Sequence, residues 1–248
     1  IPHDALMDEV QARISDGRVL ALIDAYLKAD ILDGLAQWTP TGGTPQGAVI
    51  SPLLANLYLH GLDCRMSEQG YRIVRYADDF VILCRDETEA RAALHEVQTW
   101  CAARRLTLHP DKTHIGDCRQ AGAGFEFLGY RFEGGRRWVR RKSRNALKDK
   151  IRAKTRRSRG DSLAEIIADL NPMLRGWFGY FKHAYRREFP SIDGFIRRRL
   201  RAILRRHARQ EGRHGHSQQD HRRWPNAFFA EHGLFTMSAA HARASQSR

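Results

Sequence analysis

No apolar run in this chain approaches the roughly 20 residues that a membrane-spanning helix needs, and no leader of charged, apolar and small residues opens it. A cytoplasmic protein without a membrane partner is the resulting expectation. Cysteine is scarce. Cys64, Cys84, Cys101 and Cys118 stand apart with no C-x-x-C pair, which argues against a zinc knuckle and supplies no disulfide framework. Acidic residues are nearly missing from one stretch: residues 136–209 carry 24 Lys and Arg against 6 Asp and Glu, net +18. Residues 1–135 carry 13 against 19, net −6. A merely solvated charged face mixes both signs, so the basic stretch points to a polyanionic partner. The 248 residues suffice for one large domain or two small ones, each with its own core.

What is present reads first as alternating helices and strands. Asp4 is placed to cap a helix through Leu6, Met7, Val10 and Ile14 that Gly17 ends, and a second helix is predicted over 19–29. After a glycine-rich loop at 42–47, Ser51 and Pro52 read as the N-cap and first position of a helix. It carries Leu53, Leu54, Leu57, Tyr58 and Leu62 to about Gln69, where Gly70 stops it. Ala90, Leu94, Val97 and Cys101 fall at helical spacing within a predicted helix over 87–105. Residues 106–115 read as extended, with a turn at Pro110-Asp111, and strands at 125–132 and 137–140 flank the hairpin signature Gly134-Gly135. From Arg140 the chain reads as helical over 142–158, 162–185 and 191–209, with breaks at Gly160-Asp161 and Pro190-Ser191. Ile196, Leu200, Ile203 and Leu204 face inward in the last of these, while arginines crowd the rest. Phe228, Phe229, Leu234 and Phe235 then form a short docking segment before a disordered end at about Ala244.

Within the acidic part, Asp78 and Asp79 lie between the β-forming runs Ile73-Val74 and Phe80 to Leu83, so a hairpin presents them side by side at its turn. Two adjacent anions repel, which suits a site where divalent cations neutralise them and orient phosphate oxygens. Taken in isolation, an Asp-Asp pair reads first as a solvated hairpin turn. The surroundings decide between the two.

Thr44-Pro45-Gln46-Gly47-Ala48-Val49-Ile50-Ser51-Pro52-Leu53-Leu54-Ala55-Asn56-Leu57-Tyr58-Leu59 resembles the fourth block of group II intron reverse transcriptases, and Tyr76-Ala77-Asp78-Asp79 the fifth. His109 to Thr113 resembles the sixth block and Phe127-Leu128-Gly129-Tyr130 the seventh. Asn171 to Trp177 is similar to the maturase, or X, domain, and Arg223 to Phe229 to its closing segment. The order and spacing hold along nearly the whole chain.

The resemblance implies an α+β fold. A partial right-hand polymerase palm, an antiparallel sheet with helices, would occupy 1–139, thumb helices 140–170, and a basic all-α maturase domain with its tail 171–248. It implies an RNA-directed DNA polymerase and intron maturase. Its partners would be intron and template RNA, a DNA primer and deoxynucleoside triphosphates, and Mg2+ would be held by Asp78 and Asp79. Gln46, Gly47 and Lys112 would lie against the nucleotide, and Phe127, Leu128 and Gly129 would form a primer grip. Arg140, Arg141, Lys142, Arg156, Arg157, Arg175, Arg197, Arg198, Arg201 and Arg205 would contact RNA. Taken singly, Gly47 reads as a turn glycine, Lys112 as a solvated lysine and Gly129 as a bulge. Trp177, Phe178 and Phe181 read as core. His207, His214, His216 and His221 read as a polar, RNA-facing loop, because no cysteine or acid accompanies them at metal-ligand spacing.

Ile1 to Asp4 matches the tail of the third block, so the family's first catalytic aspartate and its fingers fall before the sequence. The expectation is an incomplete metal site that a separate N-terminal fragment or partner chain would supplement. The alternative readings are a catalytically silent RNA-binding maturase or ribonucleoprotein scaffold, and a folding-impaired relic.

Overall fold

The computed structural model describes residues 1–33, 36–38, 42–43, 48–158, 160–208 and 217–246. Two compact units divide the chain, Ile1–Ile115 and Gly116–Arg248. The division lies ahead of the change in composition near residue 139, because the strands between 125 and 139 pack with the helices that follow them.

The first unit begins with α1 (His3–Gln11) and α2 (Gly17–Leu27). Gly17 opens α2 rather than closing α1. Asp16 is the N-cap, its carboxylate accepting from the amides of Arg18 and Val19 and so satisfying two donors that the first turn leaves unpaired. Asp4 lies inside the first turn of α1 and pairs with Arg105 at 2.7 Å. A short ladder joins β1 (Ile31–Asp33) to β2 (Ala36–Trp38), and α3 (Ser51–Glu68) follows with Pro52 in its first turn. Next come the hairpin β3 (Arg72–Tyr76) and β4 (Asp79–Leu83), then α4 (Glu87–Ala103), capped by Asp86 through the amide of Glu89.

The two halves of α3 serve two apolar clusters. Leu54 and Tyr58 pack with Leu6, Met7, Val10, Ile23 and Leu27 from α1 and α2. One helical turn further, Leu62 and Met66 pack with Ala93, Val97 and Cys101 of α4, over Ile73, Phe80 and Ile82 of the hairpin. The Tyr58 hydroxyl donates to the Arg104 carbonyl at 2.6 Å, satisfying a buried polar group at the end of α4. Residues 104–115 contain no strand; the predicted turn is present at Pro110–Lys112.

The second unit opens with an antiparallel meander, β5 (Phe125–Phe127), β6 (Tyr130–Glu133) and β7 (Arg136–Val139). The predicted strand over 125–132 is therefore two strands with a turn at Leu128-Gly129. Both turn residues have positive φ, 48° and 79°, a combination that suits two-residue hairpin loops, and Gly134-Gly135 repeats it at the next turn. The helices α5 (Arg141–Lys154), α6 (Leu163–Phe181) and α7 (Glu188–His207) come next. Pro190 falls in the first turn of α7, where a missing N–H costs nothing, so the predicted break there does not occur. Short helices α8 (Gln218–Arg223) and α9 (Asn226–Glu231) lead to α10 (Met237–Gln246). The expected disordered end is a helix because Asp193, buried on α7, accepts from the amides of Met237 and Ser238 and from the Ser238 hydroxyl, at 3.0, 2.9 and 2.6 Å. Phe229, Leu234 and Met237 enter one core with Leu170, Leu174, Phe189, Ile192, Ile196 and Leu200. Phe178 and Phe181 are buried in it and Trp177 packs on it, as core rather than as exposed stacking platforms.

Among the described residues no helix is long and apolar enough to cross a membrane.

Candidate active site

Cross-strand pairing sorts the hairpin into two faces. Ile73 opposes Ile82 and Arg75 opposes Phe80, and these turn toward α3 and α4. On the other face Arg72 opposes Leu83, Val74 opposes Val81 and Tyr76 opposes Asp79. Asp79 is thus the first residue of β4, beside the largely exposed Tyr76, while Ala77 and Asp78 form the two-residue loop. Both carboxylates are exposed, and among the described residues neither takes a salt bridge. Ala77 has φ 55°, a left-handed conformation in which a side chain is strained. Two free, hard oxygen donors on a tight turn fit part of a divalent-cation site, and no group of three such side chains occurs among the described residues.

Sequence reasoning missed the residue that fixes this turn. Arg75 reaches Asp63 through Nε at 2.9 Å and a terminal nitrogen at 2.6 Å, and its other terminal nitrogen donates to Asn56 Oδ1 and to the Ala77 carbonyl, both at 2.8 Å. Hydrogen bonding to Asp63 raises the already high pKa of Arg75. Asn56 and Asp63 lie seven residues apart on α3, two helical turns on one face. That spacing, against an arginine just before the Asp-Asp turn, was the available signal.

Gln46 and Gly47 lie outside the described residues. Lys112 is exposed in its turn, where its amide donates to the His109 carbonyl at 3.2 Å; no hydrogen bond or ion pair among the described residues joins it to Asp78 or Asp79. In the second unit Phe127 is buried at the end of β5, and Leu128-Gly129 is a turn tied to α6: the Tyr180 hydroxyl donates to the Leu128 carbonyl at 2.8 Å. The Gly129 carbonyl accepts from the Arg140 amide at 2.9 Å, and a Cβ at Gly129 would come within 3.2 Å of the Phe181 ring.

The ten basic residues expected on RNA separate by environment. Arg141, Lys142, Arg156, Arg157, Arg175 and Arg198 are exposed, and Arg140 and Arg197 are half-buried. Arg201 is a correction. Only 2% exposed, it donates to the Trp224 carbonyl at 2.9 Å and to Asn226 Oδ1 at 2.8 Å, and so joins α7 to the end of α8 and the start of α9. Arg205 is also mostly internal, paired at 2.9 Å with buried Asp220. Arg199 belongs with them: it donates to the hydroxyl and carbonyl of Thr155, at 2.5 and 2.8 Å, and closes the C-terminal end of α5. His214 and His216 lie outside the described residues.

Residues 1–132 match the family model described as reverse transcriptase (RNA-dependent DNA polymerase). The chain belongs to this reverse transcriptase family, in its group II intron maturase branch. The second part of that statement rests on residues 144–224, which match the group II intron maturase-specific domain. The relatives agree. The group II intron-encoded protein LtrA of Lactococcus lactis is 43% identical over 63 residues, 25% of this chain and 10% of that one. A 91 kDa protein in the cob intron of Schizosaccharomyces pombe is 44% identical over 63 residues, 25% of this chain and 8% of that one. Protein YkfC of Escherichia coli is 28% identical over 185 residues, 58% of this chain and 45% of that one. The chain spans less than half the length of each. The reverse transcriptase match runs past the packing boundary at residue 115, so β5 and most of β6 fall in that family segment by sequence and in the second unit by packing, while β7 lies beyond the match.

Proposed function

We propose that this chain is the palm, thumb and maturase portion of a group II intron reverse transcriptase. In this reading it binds intron and template RNA and takes part in extending a DNA primer by nucleotidyl transfer from deoxynucleoside triphosphates. The observation that carries the proposal is the exposed Asp78-Asp79 hairpin inside a segment that matches the reverse transcriptase family. Asp78 and Asp79 would hold magnesium, which when bound supplies neutralisation of the charge on the attacking and leaving oxygens of an in-line displacement. Two carboxylates hold a hard divalent cation weakly, so further oxygen donors belong to the working site, from substrate phosphates or from polypeptide outside this sequence. Gln46, Gly47 and Lys112 would contact the nucleotide, Lys112 as a cation at the triphosphate. Phe127, Leu128 and Gly129 would place the primer end. The exposed cations of α5 and α7, together with Arg156, Arg157 and Arg175, would contact RNA phosphates. In domain terms, the palm would comprise residues 1–139, the thumb 140–170 and the maturase domain 171–248.

A second reading, an RNA-binding maturase or scaffold without polymerase activity, is favoured by charge. Residues 116–248 hold 31 basic and 12 acidic side chains, net +19, and RNA binding needs no more than that unit. Primer extension on an RNA template with magnesium separates the two, using the chain alone and then with an added N-terminal segment bearing an aspartate. Extension that Asp78→Asn abolishes while RNA affinity stays unchanged supports the polymerase. Tight, salt-sensitive RNA binding without extension in either mixture supports the scaffold.

A further inference from the structure

We infer that Arg75 is a positioning residue for the carboxylate turn, acting from α3 through Asp63 and Asn56; the inference rests on the polymerase reading above. Three observations combine. Arg75 is the inward-facing residue of β3 nearest the turn, with a side chain only 11% exposed. It spans two acceptors on α3 and, from the same terminal nitrogen that reaches Asn56, bonds the Ala77 carbonyl at 2.8 Å. That carbonyl belongs to the peptide that leads into Asp78, and the residue carrying it is held at φ 55°. A hairpin turn of this kind normally takes glycine at such a position. Here the strained peptide is held by a charge-assisted hydrogen bond to a guanidinium that the Asp63 carboxylate keeps in place.

Arginine is suited to this task and lysine is not. The planar fork supplies donors in three directions at once, toward Asp63, Asn56 and Ala77, whereas an ammonium on a flexible stem cannot meet all three in this geometry. The hairpin itself does not depend on the contact, because Ile73, Phe80 and Ile82 pack on α3 and α4 independently of it. Losing the clamp frees the 77–78 peptide to rotate, and Asp78 then loses its fixed relation to Asp79. The Asn56 and Asp63 positions within the SPLLANLYLHGLD stretch thereby acquire a role at the site without touching it.

The test uses the full chain with manganese(II) as the probe ion, binding being read by electron paramagnetic resonance and backbone mobility by amide hydrogen exchange. Arg75→Lys is expected to weaken manganese binding at least tenfold and to speed exchange across Tyr76 to Asp79, while Ile73 and Ile82 exchange as before. Asn56→Leu is expected to do the same to a smaller degree, and Asn56→Asp, which keeps the acceptor, to restore near-native binding and exchange. Unchanged turn exchange in Arg75→Lys overturns the proposal. So does a loosened turn with native manganese affinity, where Asp79→Asn abolishes that affinity. Failure of the underlying polymerase reading looks different: manganese binding is then insensitive to Asp79→Asn itself.

Discussion

A guanidinium inside a protein and one on its surface carry the same charge and do opposite things. Arg201 is enclosed, and its donors go to the Trp224 carbonyl and Asn226. Burial pushes its pKa down, and the like charge of Arg197 lowers it further. It therefore contributes to folding rather than to recognition. Arg156 and Arg157 are exposed beyond the end of α5, where a phosphate backbone can displace their counterions. The two roles separate in measurement. Arg201→Ala should lower stability by about 2–3 kcal/mol, the cost of stranding acceptors that had a charged donor, and leave the salt dependence of RNA binding unchanged. Arg156→Ala and Arg157→Ala should each reduce the slope of log affinity against log salt by about 1 and leave the melting temperature unchanged. A reduced salt slope in Arg201→Ala would place that residue back on the RNA.

Helix ends show how one side chain links two elements, and why part of this was invisible beforehand. Periodicity marks a helix's apolar stripe, and it found Ile196, Leu200 and Ile203. It could not mark Asp193, Arg201 or Arg205 as internal, because α8, α9 and α10 cover α7 and bring their own polar partners. The Asp-Asp hairpin was legible in outline, since β-formers on either side of a polar dipeptide mark a turn; the register, which makes Ala77-Asp78 the loop and puts Asp79 on β4, was not. Its Arg75 clamp was not, since that needs the rotation of α3 against the sheet. Asp220 is the clearest case of an end that depends on charge. Burial opposes its ionisation, but the Ser217 hydroxyl and the Arg205 guanidinium outweigh that and hold its pKa below the usual carboxylate range. A lowered folded-state pKa gives stability that is complete above the ordinary value of about 4 and lost as pH falls through the folded value. The capping box of α8 should therefore loosen in acid, below about pH 4. In a series of melting curves from pH 7 down to pH 2, Asp220→Asn should lower stability at neutral pH and flatten the acid limb. A variant whose acid limb stays as steep as the native one would assign the pH dependence to other groups.

At the scale of the molecule, charge and chemistry are divided between the two units. Residues 1–115 hold 11 basic and 16 acidic side chains, net −5, and contain the carboxylate hairpin; residues 116–248 are net +19. An acidic unit has little attraction of its own for a polyanion, so under the proposed function capture of RNA would fall to the basic unit, and attraction at the carboxylates would depend on cations. The two kinds of binding should respond differently to salt. Phosphate contacts release counterions, and about six exposed cations give an affinity loss on the order of a thousandfold between 50 and 200 mM salt. Manganese at Asp78 and Asp79 would be a short-range contact with hard oxygen ligands, which screening over a Debye length of about 10 Å would weaken far less. Titrating the 248-residue chain with intron-type RNA and, separately, with manganese across that salt range should therefore give a steep line and a shallow one. Asp78→Asn combined with Asp79→Asn should remove the shallow one alone. If the double variant instead flattened the RNA line as well, the hairpin would be part of the RNA surface, and the division of labour between the two units would be wrong.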